Sequence, residues 1–167
     1  MIEGTHRLGP DSGRLLVRTT RSGLGRKVGH DLLIEATRWS AEASAERLEV
    51  TVEVDALEIR EGTGGVLPLS DSDRSEIKKN LRKILDVDRH PVITFVATDL
   101  KDPLDVTGEL TIKGVTRPLT IRSVQEDGRL RGTVRFAQST WGIKPYSAFL
   151  GALKLADEVE VSFDLAL

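Results

Sequence analysis

The sequence predicts an all-β protein made of antiparallel strands, with a single helix. Apolar and polar residues alternate with period two in four separate segments, turn residues lie between those segments, and one segment alone has a helical period. Successive side chains of a strand point to opposite faces, so this alternation indicates strands with one buried and one solvated face. Parallel strands buried on both faces would appear as continuous apolar runs instead.

Eight strands are predicted in this way. The clearest alternation covers Leu48–Asp55, Leu104–Ile112, Arg129–Phe136 and Glu158–Leu165. Weaker patterns predict four further strands at Arg14–Thr20, Asp31–Trp39, Val92–Leu100 and Thr116–Gln125, and a short ninth strand before Pro10. The pair Asp127-Gly128 predicts a two-residue hairpin turn, because both residue types adopt positive φ readily.

One helix interrupts the strands, over Asp73–Leu85, where four apolar residues recur at i, i+4, i+7 and i+8 and form one face. Asp73 is the predicted N-cap, and Glu76 three residues later completes a capping box. Pro91 prevents the helix from continuing. One helix cannot cover eight strands, so two arrangements remain that hide the strand edges: a two-sheet sandwich or a closed barrel.

Composition limits the classes of function. The chain has 167 residues, of which 39% are hydrophobic and 30% charged, and we predict a single domain over residues 1–167. Its 24 basic and 26 acidic side chains give a net charge of −2, which argues against nucleic-acid binding. The absence of cysteine excludes disulfides, thiol catalysis and cysteine-ligated metals. We see no signal peptide and no apolar run long enough for a membrane span, so we expect a soluble, cytoplasmic protein.

Motifs for catalysis or cofactor binding are not found. His6, His30 and His90 are scattered, and a metal site needs two or three converging ligands, so we interpret them as surface or capping residues. The G-x-S-x-G nucleophile elbow and the glycine patterns of nucleotide-binding loops are missing. We therefore predict no catalytic residue, no metal and no cofactor, and a protein that is not an enzyme.

Aromatic residues are concentrated in one segment. Trp141, Tyr146 and Phe149 lie within Ser139–Leu155, an apolar stretch without a clear period. Two interpretations stay open for this segment. It is either a plug that closes one end of the core, or a lid over a ligand cavity whose aromatic side chains contact the ligand.

Three segments resemble motifs of the YceI-like family of lipid-binding proteins. Leu85–Phe95, LDVDRHPVITF, resembles the family's "DVxxYPxITF" segment. Gly108–Thr120, GELTIKGVTRPLT, is similar to its "GxLTIxGVTKPV" hairpin, and Gly151–Val159, GALKLADEV, to its closing "G…VGDEV" strand. The three matches occur in the family's order and spacing, and with the preceding strands the resemblance covers nearly the whole chain.

The resemblance implies an eight-stranded, lipocalin-like antiparallel barrel with one external helix and an apolar internal pocket. It also implies a ligand, a long-chain isoprenoid or another amphiphilic lipid, which the protein would sequester or carry. We predict that inward-facing residues and the aromatic segment bind this ligand. These residues are Ile34, Val50, Val52, Phe95, Val106, Leu110, Leu119, Ile121, Val134, Phe136, Trp141, Tyr146, Phe149, Val161 and Phe163.

Alternatives to a binding protein are kept open. One is an enzyme that acts on an isoprenoid or lipid substrate, and another is a filled barrel with a structural or partner-binding role. Most inward-facing residues are medium-sized, and two of them, Gly108 and Gly132, are glycines. Small inward-facing side chains leave room in the interior, which favours a cavity over a filled barrel. A homodimer is kept as an alternative to the monomer.

Overall fold

The structure is a computed structural model that describes residues 4–22, 31–63, 70–145, 147–148 and 153–166. These residues form twelve β-strands, one α-helix and two short 3-10 helices. The strands are β1 His6–Leu8, β2 Gly13–Ser22, β3 Asp31–Ala36, β4 Trp39–Ala43, β5 Leu48–Glu53, β6 Leu57–Thr63, β7 Val92–Ala97, β8 Asp105–Ile112, β9 Val115–Glu126, β10 Arg129–Ala137, β11 Ser147–Ala148 and β12 Leu153–Ala166. The helix α1 is Asp71–Ile84, and the 3-10 helices are Val54–Ala56 and Gln138–Trp141.

Every strand pairing among the described residues is antiparallel, which confirms the predicted all-β class. The strand order is β1-β4-β5-β7-β8-β9-β10-β12-β2-β3-β6, and β11 pairs with β12 beside this path. The hairpin predicted between β9 and β10 turns at Asp127 and Gly128, which both have positive φ.

Two bent strands join the ends of this sheet. β3 continues into β4, and β5 continues through the 3-10 helix Val54–Ala56 into β6. β3 pairs with β6 and β4 pairs with β5, so the four strands form one long bent hairpin. On one side this hairpin pairs with β2, and on the other with β7. The sheet therefore closes into a ring of eight continuous strands, as predicted, with β1 as a short addition.

The bend itself was not predicted. The expected strand Asp31–Trp39 ends at Ala36, and Trp39 begins a separate strand. Between them Thr37 donates hydrogen bonds to the carbonyl of Ala56 from its backbone N–H, at 2.9 Å, and from its hydroxyl, at 2.8 Å. These bonds replace the regular ladder and turn the hairpin. Strand β6, Leu57–Thr63, was likewise not predicted from the sequence.

The helix begins earlier than predicted. Ser70, not Asp73, is the N-cap: its hydroxyl accepts a hydrogen bond from the Asp73 N–H, and the Asp73 carboxylate accepts one from the Ser70 N–H, both at 3.0 Å. Asp73 is therefore the third residue of the helix. It is the second partner in a capping box whose N-cap is Ser70. The predicted apolar stripe is present, and it faces the ring of strands.

Ion pairs cover the outer face of the ring. Arg14 and Arg60 both pair with Glu35, at 3.3 and 2.9 Å, and the side chain of Glu35 is 16% exposed. Burial raises the pKa of Glu35, but hydrogen bonds and charges from Arg60 and Arg14 outweigh it and lower the pKa below the ordinary 4.5. On β12, hydrogen bonding and charge from Arg129, with a contribution from Arg131, lower the pKa of Asp164.

Glu35→Gln should destabilise the protein at pH 7 by roughly 0.5–1 kcal/mol, the scale of a partly exposed ion-pair network. The pKa of Glu35 is lower in the folded protein than in the unfolded chain, so its stabilisation is present above about pH 4.5 and is lost as the pH falls through the folded value. Denaturant unfolding from pH 7 to pH 3 measures this difference. Glu109→Gln, on the exposed face of β8, is the control, and a Glu35→Gln deficit that does not decrease as the pH falls below 4.5 would contradict the explanation.

Candidate binding cavity

A cavity of about 660 Å³ lies inside the ring of strands. Its wall consists of the inward-facing side chains of the strands, which alternate with the charged outer residues. Consecutive strands are antiparallel, so their connections fall at two ends of the ring. At one end, Leu100, Pro103 and Leu104 contribute to the wall, and at the other end the apolar face of α1 does.

The cavity wall is almost entirely apolar. No Asp, Glu, Lys or Arg is found among the described residues that line it. The polar side chains of the wall are His6, Thr19, Asn80, Thr94, Ser123, Gln125 and Gln138. A buried charge needs a partner of opposite sign or several hydrogen bonds. This wall therefore suits an uncharged, mainly hydrocarbon molecule.

Two inward-facing glycines have a different role from the one predicted. A Cβ atom at Gly108 would lie 2.6 Å from Cζ of Phe95, and one at Gly132 would collide with the ring of Phe163. The glycines therefore make room for the two phenylalanine rings on neighbouring strands and do not themselves leave open space. Medium-sized residues also border the cavity, among them Val134 and Val161, which are neighbours on the paired strands β10 and β12.

Most of the predicted site residues face this one cavity. Twelve of the fifteen line it: Ile34, Val50, Val52, Phe95, Val106, Leu110, Leu119, Ile121, Val134, Phe136, Val161 and Phe163. Tyr146 and Phe149 lie outside the described residues. Contact of these side chains with a ligand stays a prediction.

Trp141 is not among the described residues that line the cavity, contrary to the prediction. It is 2% exposed, its indole N–H donates to the Leu110 carbonyl at 2.8 Å, and its ring meets Phe136 edge-on with centroids 4.9 Å apart. Between β9 and β10 the pairing stops at Ser123 and Gly132. Trp141 packs against Leu110 of β8 and Phe136 of β10, beyond the last pairing of β9 with β10, which is the packing that the plug interpretation expects.

Other lining residues were missed by the sequence analysis. Trp39 and Ala41 of β4 line the cavity, as do Ile77, Leu81 and Ile84 of α1. The signal for β4 was present in Trp39-Ser40-Ala41-Glu42-Ala43, which alternates with period two. The helix was predicted to lie outside the barrel, whereas its apolar face borders the cavity.

Within the described ranges, no group of three or more His, Asp or Glu side chains is arranged to hold a metal ion. In the same part of the chain, none of the helical structure has the length and apolar character of a membrane-crossing helix.

Comparison with known protein families gives a match to the YceI-like domain over residues 17–167. The chain belongs to the YceI-like family. This confirms the resemblance found in the three sequence motifs. A UPF0312 protein of Pseudomonas aeruginosa is 33% identical to the chain over 85 residues, which are 48% of this chain and 38% of that relative. The match thus spans well under half the length of the curated relative.

Solved structures similar to this YceI-like chain have low sequence identity. BcnA of Burkholderia cenocepacia has a TM-score of 0.61 and 18% identity, with 92% of this chain and 96% of BcnA covered. A polyisoprenoid-binding domain from Saccharophagus degradans has a TM-score of 0.60 and 12% identity, with 98% and 100% covered. At such identities the likeness establishes the fold, a lipocalin-like barrel.

Substitution of Val134 by Phe tests whether the barrel is hollow. Val134 borders the cavity, so the larger ring enters empty space, and the free energy of unfolding should change by less than about 0.5 kcal/mol. Val54→Phe is the matched control: Val54 is 2% exposed and packs in the core, where overpacking should cost about 1–3 kcal/mol. Denaturant unfolding compares the two variants, and an equal loss in both would indicate a filled interior.

Proposed function

We propose that this protein binds an uncharged long-chain lipid inside the barrel and holds or carries it away from water. The cavity of about 660 Å³, with no charged Asp, Glu, Lys or Arg in its described wall, is the observation that supports this function. The similar domain from Saccharophagus degradans is a polyisoprenoid-binding domain, which makes an isoprenoid chain the first ligand to test.

The size of the cavity limits the length of the bound chain. An engineered protein cavity of about 150 Å³ holds one benzene molecule, which corresponds to about 25 Å³ for each heavy atom. On that scale 660 Å³ accommodates about 25 heavy atoms, or about five isoprene units. A longer chain would extend beyond the cavity.

The same number of atoms gives an approximate affinity. At about 0.3 kcal/mol for each heavy atom, 25 contained atoms would contribute about 7.5 kcal/mol, which corresponds to a Kd in the low micromolar range. A chain that extends beyond the cavity would gain little more from its additional carbons, because they remain in water.

Binding is favoured over catalysis by the chemistry of the wall. Acid–base or nucleophilic catalysis needs positioned titratable groups within hydrogen-bonding reach of each other. In the described wall, His6 is the titratable side chain, and it lies on the short first strand. The remaining polar groups are amides and hydroxyls. The hollow interior likewise favours a ligand over the filled-barrel alternative.

Affinity should rise with chain length and then stop rising. In a series of uncharged prenols from 10 to 50 carbons, we expect tighter binding up to about 25 carbons and a nearly constant Kd beyond that length. Isothermal titration calorimetry, or displacement of an apolar dye, measures the series. A Kd that continues to decrease to 50 carbons would show that the chain occupies more than this cavity.

Filling the cavity should weaken binding. Val134→Phe adds four side-chain heavy atoms to the wall, so it displaces about four ligand atoms and should raise the Kd roughly tenfold. Thr133→Phe, the adjacent position on the outer face of β10, is the control and should leave the Kd unchanged. Equal effects in the two variants would place the ligand outside the barrel.

A further inference from the structure

Trp39 has an unusual environment for a tryptophan. Its side chain lines the cavity and is 7% exposed. Its cross-strand neighbour is Val52, whose own neighbour Ile93 also lines the cavity. The indole Nε1–H is buried, and it has no hydrogen-bond partner in the described part of the chain. Buried tryptophan N–H groups usually have an acceptor, because leaving such a donor unpaired is costly.

The second tryptophan shows the usual arrangement. Trp141 is also buried, and its Nε1–H donates to the Leu110 carbonyl at 2.8 Å. The chain contains two tryptophans, so the difference between them lies in position alone: Trp141 packs away from the cavity, and Trp39 forms part of its wall. The unpaired donor therefore belongs to a side chain that borders the cavity.

From this arrangement, and on the basis of the proposed function, we infer that Trp39 binds the polar end of the lipid through its indole N–H, and that this end is a neutral oxygen acceptor such as a carbonyl or hydroxyl. The indole nitrogen is a donor only, so its partner must be an acceptor. Nε1 is covered in the structure, so this contact requires the indole ring to turn toward the cavity.

A neutral oxygen fits this position better than an anionic one. The described cavity wall contains no Lys or Arg that could compensate a phosphate or carboxylate. One indole N–H does not offset the cost of burying an anion in apolar surroundings. Thr19, whose hydroxyl is likewise buried without a partner on the wall, adds a second neutral polar atom and no charge.

Three probes with the same 20-carbon isoprenoid skeleton test this assignment: a methyl ketone, the hydrocarbon without the oxygen, and the monophosphate. Wild-type protein should bind the ketone about three- to tenfold more tightly than the hydrocarbon, which is the gain expected from one neutral hydrogen bond, and should bind the phosphate more weakly than the ketone. Trp39→Phe should remove the preference for the ketone and leave the affinity for the hydrocarbon unchanged. Trp141→Phe should keep the preference.

The two indole N–H signals in a ¹⁵N–¹H spectrum provide a second readout. It uses the wild-type protein, so it does not depend on whether a variant folds. The ketone should shift the Trp39 signal differently from the hydrocarbon, and the Trp141 signal should respond equally to both. Equal affinities for ketone and hydrocarbon, or equal shifts of the Trp39 signal, would overturn the inference while the proposed function stands. A preference for the phosphate would overturn the inference and also the uncharged character of the proposed ligand. Failure of all three probes to bind would overturn the proposed function, and this inference with it.

Discussion

Closure of the barrel depends on one long, bent hairpin. Thr37 fixes the bend through two hydrogen bonds to Ala56, and the Val54 N–H donates to the Pro91 carbonyl at 3.0 Å, which ties the bend to the start of β7. Val54 and Ala56 are both buried there. Along one edge of the hairpin β3 pairs with β2, and along the other edge β5 pairs with β7. Loss of either pairing would leave an open sheet with two long free edges and an interior exposed to water.

The interior stays hollow although large side chains face it. Phe95 and Phe163 lie against the backbone at Gly108 and Gly132 on neighbouring strands, so each ring fills space close to the wall. A large residue opposite a glycine occupies the volume of two medium residues and leaves the axis of the barrel free. Valines and leucines of several strands line the remaining wall of the cavity.

Much of this arrangement could be predicted from period-two alternation, because alternation reports directly which side chains share a face. Twelve predicted inward residues share the cavity for that reason. The bend at Thr37 could not be predicted, since it arises from hydrogen bonds to Ala56, 19 residues away. Trp141 was placed at the ligand because aromatic residues were concentrated near it, whereas its position is decided by the Leu110 carbonyl, a contact 31 residues distant. Long-range partners of this kind leave no local pattern.

Under the proposed function, the partly exposed apolar side chains around the cavity link the stability of the protein to its ligand. Val50, Val134 and Val161 line the cavity and are partly exposed, so a bound chain would bury apolar surface that folding alone does not bury. A ligand that binds only the folded state adds about 2.7 kcal/mol when its free concentration is 100 times its Kd. If the protein binds a lipid as proposed, its folded fraction in a cell would follow the supply of that lipid. Molecules without ligand would be the first to unfold and be degraded, so the surviving population would be enriched in the bound form.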